Sequence, residues 1–520
     1  MRHYFLLIFC VVTVSACQRS NTVLYDAPEQ EKKSEDFEMY VDNKPVFVYQ
    51  ARVSKYPINQ IWPGYQRPLN QTEISSFAYF DLDGEVVIKI VSGKEIKTLD
   101  IRPKEFGIKS TVKGNTIEFK LSKPCQFVVE VNGYHNALHI FANPVETYNI
   151  DKNDPNVHYF GPGIHEAGVI KLNSDETVFI DGGAIVYGVI QSEDANNIKI
   201  VGRGILDASK IERGKAPNMI TLKRVVNGYI NGIILRDPHE WAVVPTNCDS
   251  ITFDNIKMIG LWRYNSDGLD IVNSRNIVFK NTFIRAFDDN IVIRGTRDAN
   301  KGSFNIIENI IVDSCVLWND WGRALEIGAS IVADTIKNVS FSNCYIPRFT
   351  TVAMDIQNCD RGYIKDIHFR NIYVGEPISD SLTIGTSPIV KNAWAKIIVL
   401  GIYGSFYSDD TTRGHIDNIF FDNIRYNRTD QERTDLFVYD SVYIEKNINY
   451  KNYDMFIRDN MYFGDIKYNC TNSNSIYLSG YDDKHLINNI FITDYFINGK
   501  KMTDLQTIGM NEFVKNVQIK

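Results

Sequence analysis

One template of short β-strands recurs from about residue 150 to near the end of the chain. Each copy has a polar turn residue, an alternating strand, an Asn, Asp or Ser near its middle, and a second short strand, as in NNIKIVGRGILD, DSITFDNIKMIG, RNIVFKNTFIRA and KNVSFSNCYIP. The copies follow one another at intervals of roughly 22 to 33 residues, which is typical of solenoids. Their period of two, without a 3.6-residue repeat, argues against leucine-rich and ankyrin repeats. We therefore predict an all-β fold in which residues 150–515 form a right-handed parallel β-helix.

A β-sandwich or a β-propeller is the alternative for these repeats. The WD and kelch signatures are absent, and the repeat is too short for a four-stranded propeller blade. In a β-helix, inward Ile, Val, Phe and Leu side chains stack on the same positions of the next coil, and paired strands lie about 4.8 Å apart. Residues one repeat apart in the sequence then become neighbours in space.

Three further segments precede the repeats. Alternating strands with a turn roughly every eight to twelve residues predict a small N-terminal β-sandwich over residues 39–145. Residues 18–38 end in the polar run APEQEKKSEDFE, which predicts a flexible tether. Residues 1–17 begin with a basic pair, continue with a short apolar run and end in Val-Ser-Ala-Cys. This arrangement is typical of a secretory signal peptide.

The last four residues of that signal resemble the cleavage box of bacterial lipoproteins. The resemblance implies removal of residues 1–16 and attachment of lipid to Cys17, which would be the only contact with a membrane. An ordinary signal peptide with an incidental cysteine is the alternative. We expect a lipoprotein of a bacterial cell envelope, anchored to the outer membrane on its periplasmic face or at the cell surface.

Charge and cysteine content argue against several classes of protein. The net charge is −7 and no dense basic run is present, so we expect no nucleic-acid partner. The six cysteines downstream of Cys17 have no CxxC or CxxH spacing, so we predict neither a metal site nor a dense disulfide framework. We also predict no cofactor and expect a monomer.

Two consecutive repeats carry acidic turns at corresponding positions. The segment NSDGLDIVNSRNIVFKNTFIRAFDDN, residues 265–290, places Asp267 one repeat ahead of Asp288 and Asp289. Stacked coils would bring these carboxylates onto one face, where repulsion raises at least one pKa and keeps a carboxyl protonated near neutrality. That arrangement suits glycoside hydrolysis, in which one acid protonates the leaving oxygen and another activates water. The alternative is that these residues only cap β-turns.

The catalytic core of the polygalacturonase superfamily, glycoside hydrolase families 28 and 49, is similar to the longer run NSDGLDIVNSRNIVFKNTFIRAFDDNIVIRG. The resemblance covers most of residues 155–375. It implies that Asp288 is the general acid and that Asp267 and Asp289 position and deprotonate the attacking water, with inversion at the anomeric carbon. It also places Arg294 where the family carries a basic residue after the acid pair.

Two downstream segments depart from the polygalacturonase pattern. GRALEIGA, residues 322–329, has Arg323 where the family carries a histidine, and AMDIQ, residues 353–357, has Asp355 where it carries a basic clamp for the galacturonate carboxylate. A carboxylate there would repel an anionic sugar. The dextranase-like family 49 also lacks the clamp, and it resembles this chain in a preceding β-sandwich and in the segment YFGPG, residues 159–163. We therefore expect a neutral or mixed polysaccharide or oligosaccharide, with family 28 or family 49 left open.

Residues around the acids are candidates for binding the sugar. Aromatic rings stack on sugar faces, and polar side chains bond the hydroxyl groups. Trp318 and Trp321 each line a subsite or pack against the outside of a coil, and Arg323 binds a substrate acid group or pairs with a neighbouring carboxylate. The predicted substrate-binding residues are Asn265, Asn290, Arg294, Trp321, Arg323, Glu326 and Asp355.

Two other functions remain open at this stage. Polysaccharide lyases on the same fold combine acidic calcium ligands with a basic residue that removes a proton beside a uronate carboxylate. A non-catalytic glycan-binding solenoid is compatible with the departures at Arg323 and Asp355. The pattern of acids in two consecutive coils favours the hydrolase.

Overall fold

The structure is a computed structural model that describes residues 21–55, 66–296, 305–378, 396–404, 408, 410–427 and 474–520. Within these ranges the chain is almost entirely β-structure, with an N-terminal sandwich followed by a parallel β-helix, so the predicted fold class is confirmed. The 3-10 helices span Leu69–Gln71, Lys104–Phe106 and Leu505–Thr507. Across the described ranges no helix is long and apolar enough to cross a membrane.

Two sheets pack face to face in the N-terminal sandwich because their strands alternate between buried apolar and exposed polar residues. In Phe37–Val41, for example, Met39 and Val41 point into the core while Glu38 faces solvent. The first sheet contains Asn21–Leu24, Tyr49–Ser54, Thr72–Asp83, Leu99–Arg102, Cys125–Val131 and Leu138–Pro144. The second contains Phe37–Val41, Lys44–Val46, Val86–Ser92, Ser110–Lys113 and Thr116–Leu121.

The structure corrects the tether predicted over residues 18–38. Residues 18–20 lie outside the described residues, but Asn21–Leu24 forms an edge strand that pairs antiparallel with Thr72–Asp83. Tyr25 then stacks on Tyr79 with ring centroids 5.4 Å apart and donates to Asp81 at 2.9 Å. Polar composition suggested a solvated chain, whereas two tyrosine contacts and strand pairing hold this segment on the sandwich.

The β-helix has three faces, which each coil visits in the same order, and neighbouring strands within a face are parallel. Face 1 contains Val157–Phe160, Thr177–Ile180, Asn196–Gly202, Val226–Asn231, Asp249–Asp254, Arg275–Lys280, Ile306–Asp313, Thr335–Ser342, Tyr363–Pro377, His415–Tyr426, Ile487–Ile497 and Val514–Ile519. Face 2 contains Ile205–Asp207, Ile234–Arg236, Lys257–Ile259, Phe283–Ala286, Val316–Asn319 and Tyr345–Phe349. Face 3 contains Gly163–Lys171, Ala184–Glu193, Ile220–Lys223, Val243–Thr246, Leu269–Val272, Ile291–Gly295, Arg323–Ile331, Val352–Asn358, Lys396–Ile402, Ile476–Ser479 and Ile508–Met510. The short strand Lys500–Lys501 pairs antiparallel with Ile487–Ile497.

Stacked aliphatic rows fill the interior of the coils. One row on face 1 runs through Ile251, Ile277, Ile310, Val339, Ile367, Ile419 and Ile490, each paired with the next and all fully buried. Burial of one such side chain contributes about 1.5–3 kcal/mol. Asparagines on the same face adopt left-handed backbone angles and form ladders, as where Asn309 Nδ2 donates to Asn276 Oδ1 at 2.9 Å. Asn tolerates this conformation better than most residues, which explains its repeated mid-strand position.

The sandwich covers face 2 of the β-helix. Its aromatic residues Tyr49, Phe77, Tyr79 and Phe141 form one buried cluster with the outward face 2 residues Ile205, Ile234, Ile259, Phe283 and Trp318. Buried ion pairs reinforce the contact: Arg203 Nε lies 2.9 Å from Asp81 Oδ1, and Arg348 Nη2 lies 2.6 Å from Glu130 Oε2. This docking leaves face 3 and the corners on either side of face 2 for other roles.

Candidate active site

The corner between faces 2 and 3 carries the predicted acids. Asp267 stands just before the face 3 strand Leu269–Val272, and Asp288 and Asp289 stand just before the next strand, Ile291–Gly295. Leu269 pairs with Ile291, and the Gly268 N–H donates to the Asp289 carbonyl at 2.8 Å. The twenty-residue interval is therefore one coil, and the structure brings the three aspartates together.

Two glycines allow the acid-bearing turns to stack this closely. A Cβ on Gly268 would lie 2.4 Å from the Asn290 carbonyl oxygen. A Cβ on Gly322, in the following coil, would lie 2.5 Å from the Asp288 carbonyl carbon and 2.5 Å from Asp289 Oδ1. Any side chain at either position would push the coils apart at the corner.

The three aspartates are largely removed from solvent. Asp267 is 3% exposed, Asp289 6% and Asp288 9%, so Asp288 is the most accessible of the three. Burial, and then the carboxylates of Asp270, Asp288 and Asp289, raise the pKa of Asp267 well above its ordinary value. A raised pKa is expected for crowded carboxylates in a poorly solvated site.

Arg294, on the face 3 strand after the acid pair, links two carboxylates. Its Nη2 lies 2.7 Å from Asp270 Oδ1 and 3.6 Å from Asp267 Oδ2, and its guanidinium lies 4.7 Å from the centre of the Trp241 ring. Burial raises the pKa of Asp270 to about 7, against the opposing attraction of Arg294. The attraction of both carboxylates raises the pKa of Arg294 although burial lowers it, so the guanidinium stays charged.

Arg323 makes the corresponding link one coil later. Its backbone N–H donates to Asp289 Oδ1 at 2.8 Å, its Nη1 lies 3.6 Å from the same oxygen, and its Nε lies 3.5 Å from Asp355 Oδ2. Pairing with carboxylates is thus the role that the structure shows for Arg323. The arginine joins an acid of the corner to an acid on the outer surface of face 3.

Glu326 and Gln357 complete the outer row of face 3. Gln357 Nε2 donates to Glu326 Oε1 at 2.9 Å and to Asp355 Oδ2 at 3.2 Å. Burial, followed by the charge of Asp289, raises the pKa of Glu326, and the two carboxyl groups share a hydrogen bond. We call Asp267, Asp270, Asp288, Asp289, Glu326 and Asp355 the acid cluster. Among the described residues, no group of three or more His, Cys, Asp or Glu is arranged to hold a metal ion.

The structure assigns other roles to several predicted residues. Asn290 is fully buried, and its Nδ2 donates to the carbonyls of Ile284 and Trp318, so its predicted substrate contact is wrong. Trp318 lies under the sandwich, where its Nε1 donates to Asp320 at 2.7 Å. Trp321 is 4% exposed, beside Gly322, and is largely packed rather than open to a ligand. Asp355 is fully buried, so the prediction that Asp355 contacts the sugar directly is corrected.

Asn265, a predicted substrate-binding residue, precedes Asp267, and its side chain is hydrogen-bonded to Arg213. Its Oδ1 accepts a hydrogen bond from Arg213 Nη2 at 2.9 Å, and the same nitrogen lies 2.6 Å from Glu240 Oε1. The contact ties the turn before Asp267 to an earlier coil, so Asn265 orients that turn.

Sequence reasoning missed Asp270, Trp241 and Gln357. For two of them, the alternation of side chains along the strand indicates the face. Asp270 alternates with the buried Leu269 and Ile271, and Gln357 follows the outward Asp355 by two positions, so Gln357 lies on the same side as Asp355. Trp241 precedes the strand Val243–Thr246 by the same two positions by which Asp267 precedes Leu269–Val272. The repeat pattern therefore predicts that Trp241 lies at the same corner.

Comparison with known proteins agrees with this geometry. Residues 189–387, which contain both acid-bearing coils, match the model of glycosyl hydrolases family 28. No curated protein matches the chain by sequence.

A number of solved structures are similar to the chain, among them the following two. Dex49A from Penicillium minioluteum has a TM-score of 0.59 at 14% identity and covers 96% of each chain, so the shared fold includes the sandwich. A hyperthermoactive exopolygalacturonase from Thermotoga maritima has a TM-score of 0.47 at 14% identity over 68% of this chain and 83% of its own. The match of residues 189–387 to the model of glycosyl hydrolases family 28 shows that the protein is a glycosidase.

Proposed function

We propose that this glycosidase hydrolyses O-glycosidic bonds of a neutral or mixed polysaccharide or oligosaccharide by an inverting acid–base mechanism. The observation that carries the proposal is the meeting of Asp267, Asp288 and Asp289 at one corner, where burial and then the neighbouring carboxylates raise the pKa of Asp267. An inverting glycosidase needs one protonated carboxyl at the leaving oxygen and one ionised carboxylate at a water on the opposite side of the sugar.

Asp288 is the proposed general acid. It is the most exposed of the three aspartates, so the leaving oxygen can approach it. Asp267 and Asp288 interact electrostatically, so a proton held by this coupled group belongs to the pair rather than to one residue. Transfer of that proton through Asp288 to the leaving oxygen completes cleavage of the glycosidic bond.

Asp289 and Asp267 are the proposed water-activating pair. Asp289 accepts the Arg323 N–H at 2.8 Å, and Asp267 lies 3.6 Å from Arg294 Nη2. The positive charge of Arg294 favours the ionised form of Asp267, which is the form that accepts a proton from water. The products are two sugar chains with inverted configuration at the new reducing end.

Charge balance supports a neutral sugar. Both arginines of the site lie beside carboxylates, Arg294 between Asp267 and Asp270 and Arg323 between Asp289 and Asp355. Within the described acid cluster, six carboxyl groups thus stand against these two guanidinium groups, an excess of acidic groups that disfavours a uronate carboxylate. An anionic sugar would meet repulsion at the acid cluster.

Product profiling tests the proposal. The protein is incubated with dextran, homogalacturonan, rhamnogalacturonan and other neutral or acidic glycans, and proton NMR follows the anomeric configuration of the first product. We expect a neutral or mixed glycan to give an inverted product. Asp288→Asn should lower kcat at least roughly 100-fold, whereas the control Asp249→Asn, on the outer side of face 1, should retain activity.

Four results would contradict parts of this proposal. A retained anomer would exclude inversion, and an ultraviolet-absorbing unsaturated sugar would show a lyase. Full activity of Asp288→Asn would remove this residue from the role of acid. Glycan binding without any cleavage across the panel would favour a non-catalytic solenoid.

We also propose that Cys17 carries the lipid that anchors the protein to the outer membrane of a bacterium. Residues 1–20 lie outside the described residues, so the support is the sequence of the signal segment alone. Cys17→Ser should move the protein from the membrane fraction to the soluble fraction and abolish labelling by palmitate. Unchanged fractionation and labelling would contradict the anchor.

A further inference from the structure

The sandwich and the β-helix enclose a cleft on the side of face 2 away from the acid cluster. Its volume is about 420 Å³, within the range of about 300–1,000 Å³ that small-molecule sites occupy. We call it the junction cleft. Its lining comes from the sandwich segment 123–126 and from the turns between faces 1 and 2, including Asn231, Asn255, Asn281 and Ser314.

Amide groups form one part of the junction cleft and are held in fixed orientations. Gln126 Nε2 donates to Asn255 Oδ1 at 3.0 Å and to the Asn281 carbonyl at 2.8 Å, while Asn231 Oδ1 accepts from Tyr148 at 2.6 Å. Gln126, Asn231 and Asn255 are 7%, 3% and 5% exposed, so their positions are set before any ligand arrives.

Asn255 Nδ2 has no hydrogen-bond partner within the described part of the chain, although it is buried. A buried donor without an acceptor costs about 1–3 kcal/mol. Asn255 lines the junction cleft while this nitrogen itself is enclosed, so a small movement of the lining would let a ligand hydroxyl or carbonyl oxygen accept this bond. The structure therefore retains a polar group whose bonding is incomplete without a ligand.

Aromatic rings form the other part of the lining. Phe106 meets Tyr345 edge to face at 4.9 Å, and Tyr345 stacks on Tyr373 at 5.1 Å, which fixes the tyrosine ring. Tyr229 is the third aromatic residue of the cleft. Fixed aromatic surfaces beside oriented amides match a sugar ring, which has apolar C–H faces and a rim of hydroxyl groups.

The charges of the junction cleft favour a neutral ligand. Its lining contains Lys123 and two carboxylates, of which Asp254 lies 3.4 Å from Lys280 and Glu146 lies 3.4 Å from Arg203. Among the residues that the structure describes, the lining contains no arginine to bind a carboxylate or a phosphate in bidentate fashion. The shared residues Phe106, Lys123 and Cys125 continue the cleft into a second groove of about 490 Å³ over the sandwich, which leaves room for further sugar units.

We propose that the junction cleft is a non-catalytic binding site for a neutral oligosaccharide. It lies at the corner between faces 1 and 2, whereas the acid cluster lies between faces 2 and 3, with the docked sandwich between them. The junction cleft binds glycan without cleaving it and holds a polysaccharide chain against the enzyme while another part of the chain occupies the acid cluster.

Binding stoichiometry tests the junction cleft independently of catalysis. The Asp288→Asn protein is titrated by calorimetry with isomalto-, malto-, cello- and xylo-hexaose, and with hexagalacturonate as the anionic probe. We expect saturable binding of at least one neutral probe at the junction cleft and none of the anionic probe there. Asn255→Asp keeps the Oδ1 that accepts from Gln126 but removes the Nδ2 donor, and we expect it to weaken binding at this site at least tenfold.

Tyr345→Ala removes the aromatic surface and should have a similar effect, while Tyr363→Ala, a half-buried tyrosine on face 1 outside the junction cleft, serves as the control. Circular dichroism checks that each variant is folded.

Loss of one binding site in both cleft variants, with the site at the acid cluster retained, supports the proposal. Binding that is unchanged in both variants, or no binding of any neutral probe, overturns it. Binding at the junction cleft in a protein that cleaves no glycan would leave the binding site standing and refute the proposed activity, on which the role of holding the substrate rests.

Discussion

Arg294 Nη2 lies 2.7 Å from Asp270 Oδ1 and 3.6 Å from Asp267 Oδ2, so one guanidinium joins a proposed water-activating acid to a fully buried neighbour. Trp241, from the preceding coil, supports the guanidinium from its ring face at 4.7 Å. Three consecutive coils thus contribute to one group of interacting side chains: Trp241 from the first coil, Asp267 and Asp270 from the second, and Arg294 from the third. This group holds Asp267 beside a permanent positive charge.

Replacing Arg294 should disable the water-activating acid. Arg294→Gln removes the attraction that lowers the pKa of Asp267, so a smaller fraction of Asp267 is ionised at a given pH. We expect kcat to fall roughly 100-fold with a smaller change in KM, and the lower limb of the pH–kcat profile to move to higher pH. Arg294→Lys should restore part of the activity. An unchanged pH profile in Arg294→Gln would contradict the role.

The raised pKa of Asp270 predicts how stability depends on pH. Its pKa is 3.8 in an unperturbed carboxyl and about 7 in the fold, so between these values the folded state binds more protons than the unfolded state. Stability from this group is therefore greatest below about pH 4 and is lost as pH rises through about 7. Asp270→Asn should flatten the fall in Tm between pH 4 and pH 8.

Asp249 provides the matched comparison because its pKa shifts in the opposite direction. Hydrogen bonds from Asn276, Arg275 and Ser250 lower the pKa of Asp249, although burial opposes them. Asp249→Asn should therefore remove stability that is present above pH 4 and lost in acid. The same pH response in Asp270→Asn and Asp249→Asn would refute the assignment for Asp270.

Gly322 should tolerate no side chain. Gly322→Ala would place Cβ 2.5 Å from the backbone of both Asp288 and Asp289, and overpacking of this kind costs about 1–3 kcal/mol. We expect a lower Tm and a loss of activity larger than the loss of stability explains, because both acids move. Gly404→Ala, where a Cβ meets no atom within 4 Å, is the control. Wild-type activity in Gly322→Ala would show that the corner is not so tightly packed.

The sandwich should influence catalysis through Arg67. Its guanidinium lies 4.3 Å from the centre of the Phe287 ring, next to Asp288, and its Nη1 donates to the Trp262 carbonyl at 3.4 Å. Arg67 thus touches the turns that precede both groups of acids. Arg67→Met keeps the apolar stem but loses both polar contacts, and we expect kcat to fall roughly 10- to 100-fold through misplacement of the acids.

Arg224→Met is the control for Arg67 because Arg224 pairs with Glu193 and Asp194 at the surface of another coil. Steady-state kinetics on the preferred glycan and a thermal melt measure both effects. Equal activity of the two variants would confine Arg67 to a structural role.

The sequence alone determined the β-helix and the meeting of its three aspartates. A strand period of two marks which residues point inward, and a repeat length close to one coil makes Asp267 a neighbour of Asp288 and Asp289 without any further information. Buried aliphatic rows then fix the register, because a slip of one residue would turn every inward side chain to solvent. These are local patterns, and they can be counted along the chain.

Only the tertiary structure decided which charges meet and which surfaces are covered. Arg294 reaches Asp270, and Arg323 reaches Asp355, across coils whose lateral offsets depend on the turns between strands. Residues 21–38 were polar enough to suggest a tether, yet Asn21–Leu24 pairs with a sandwich strand whose position no local pattern specifies. Charge pairing and docking depend on contacts between residues far apart in the chain, so their energies have no signature in a single segment.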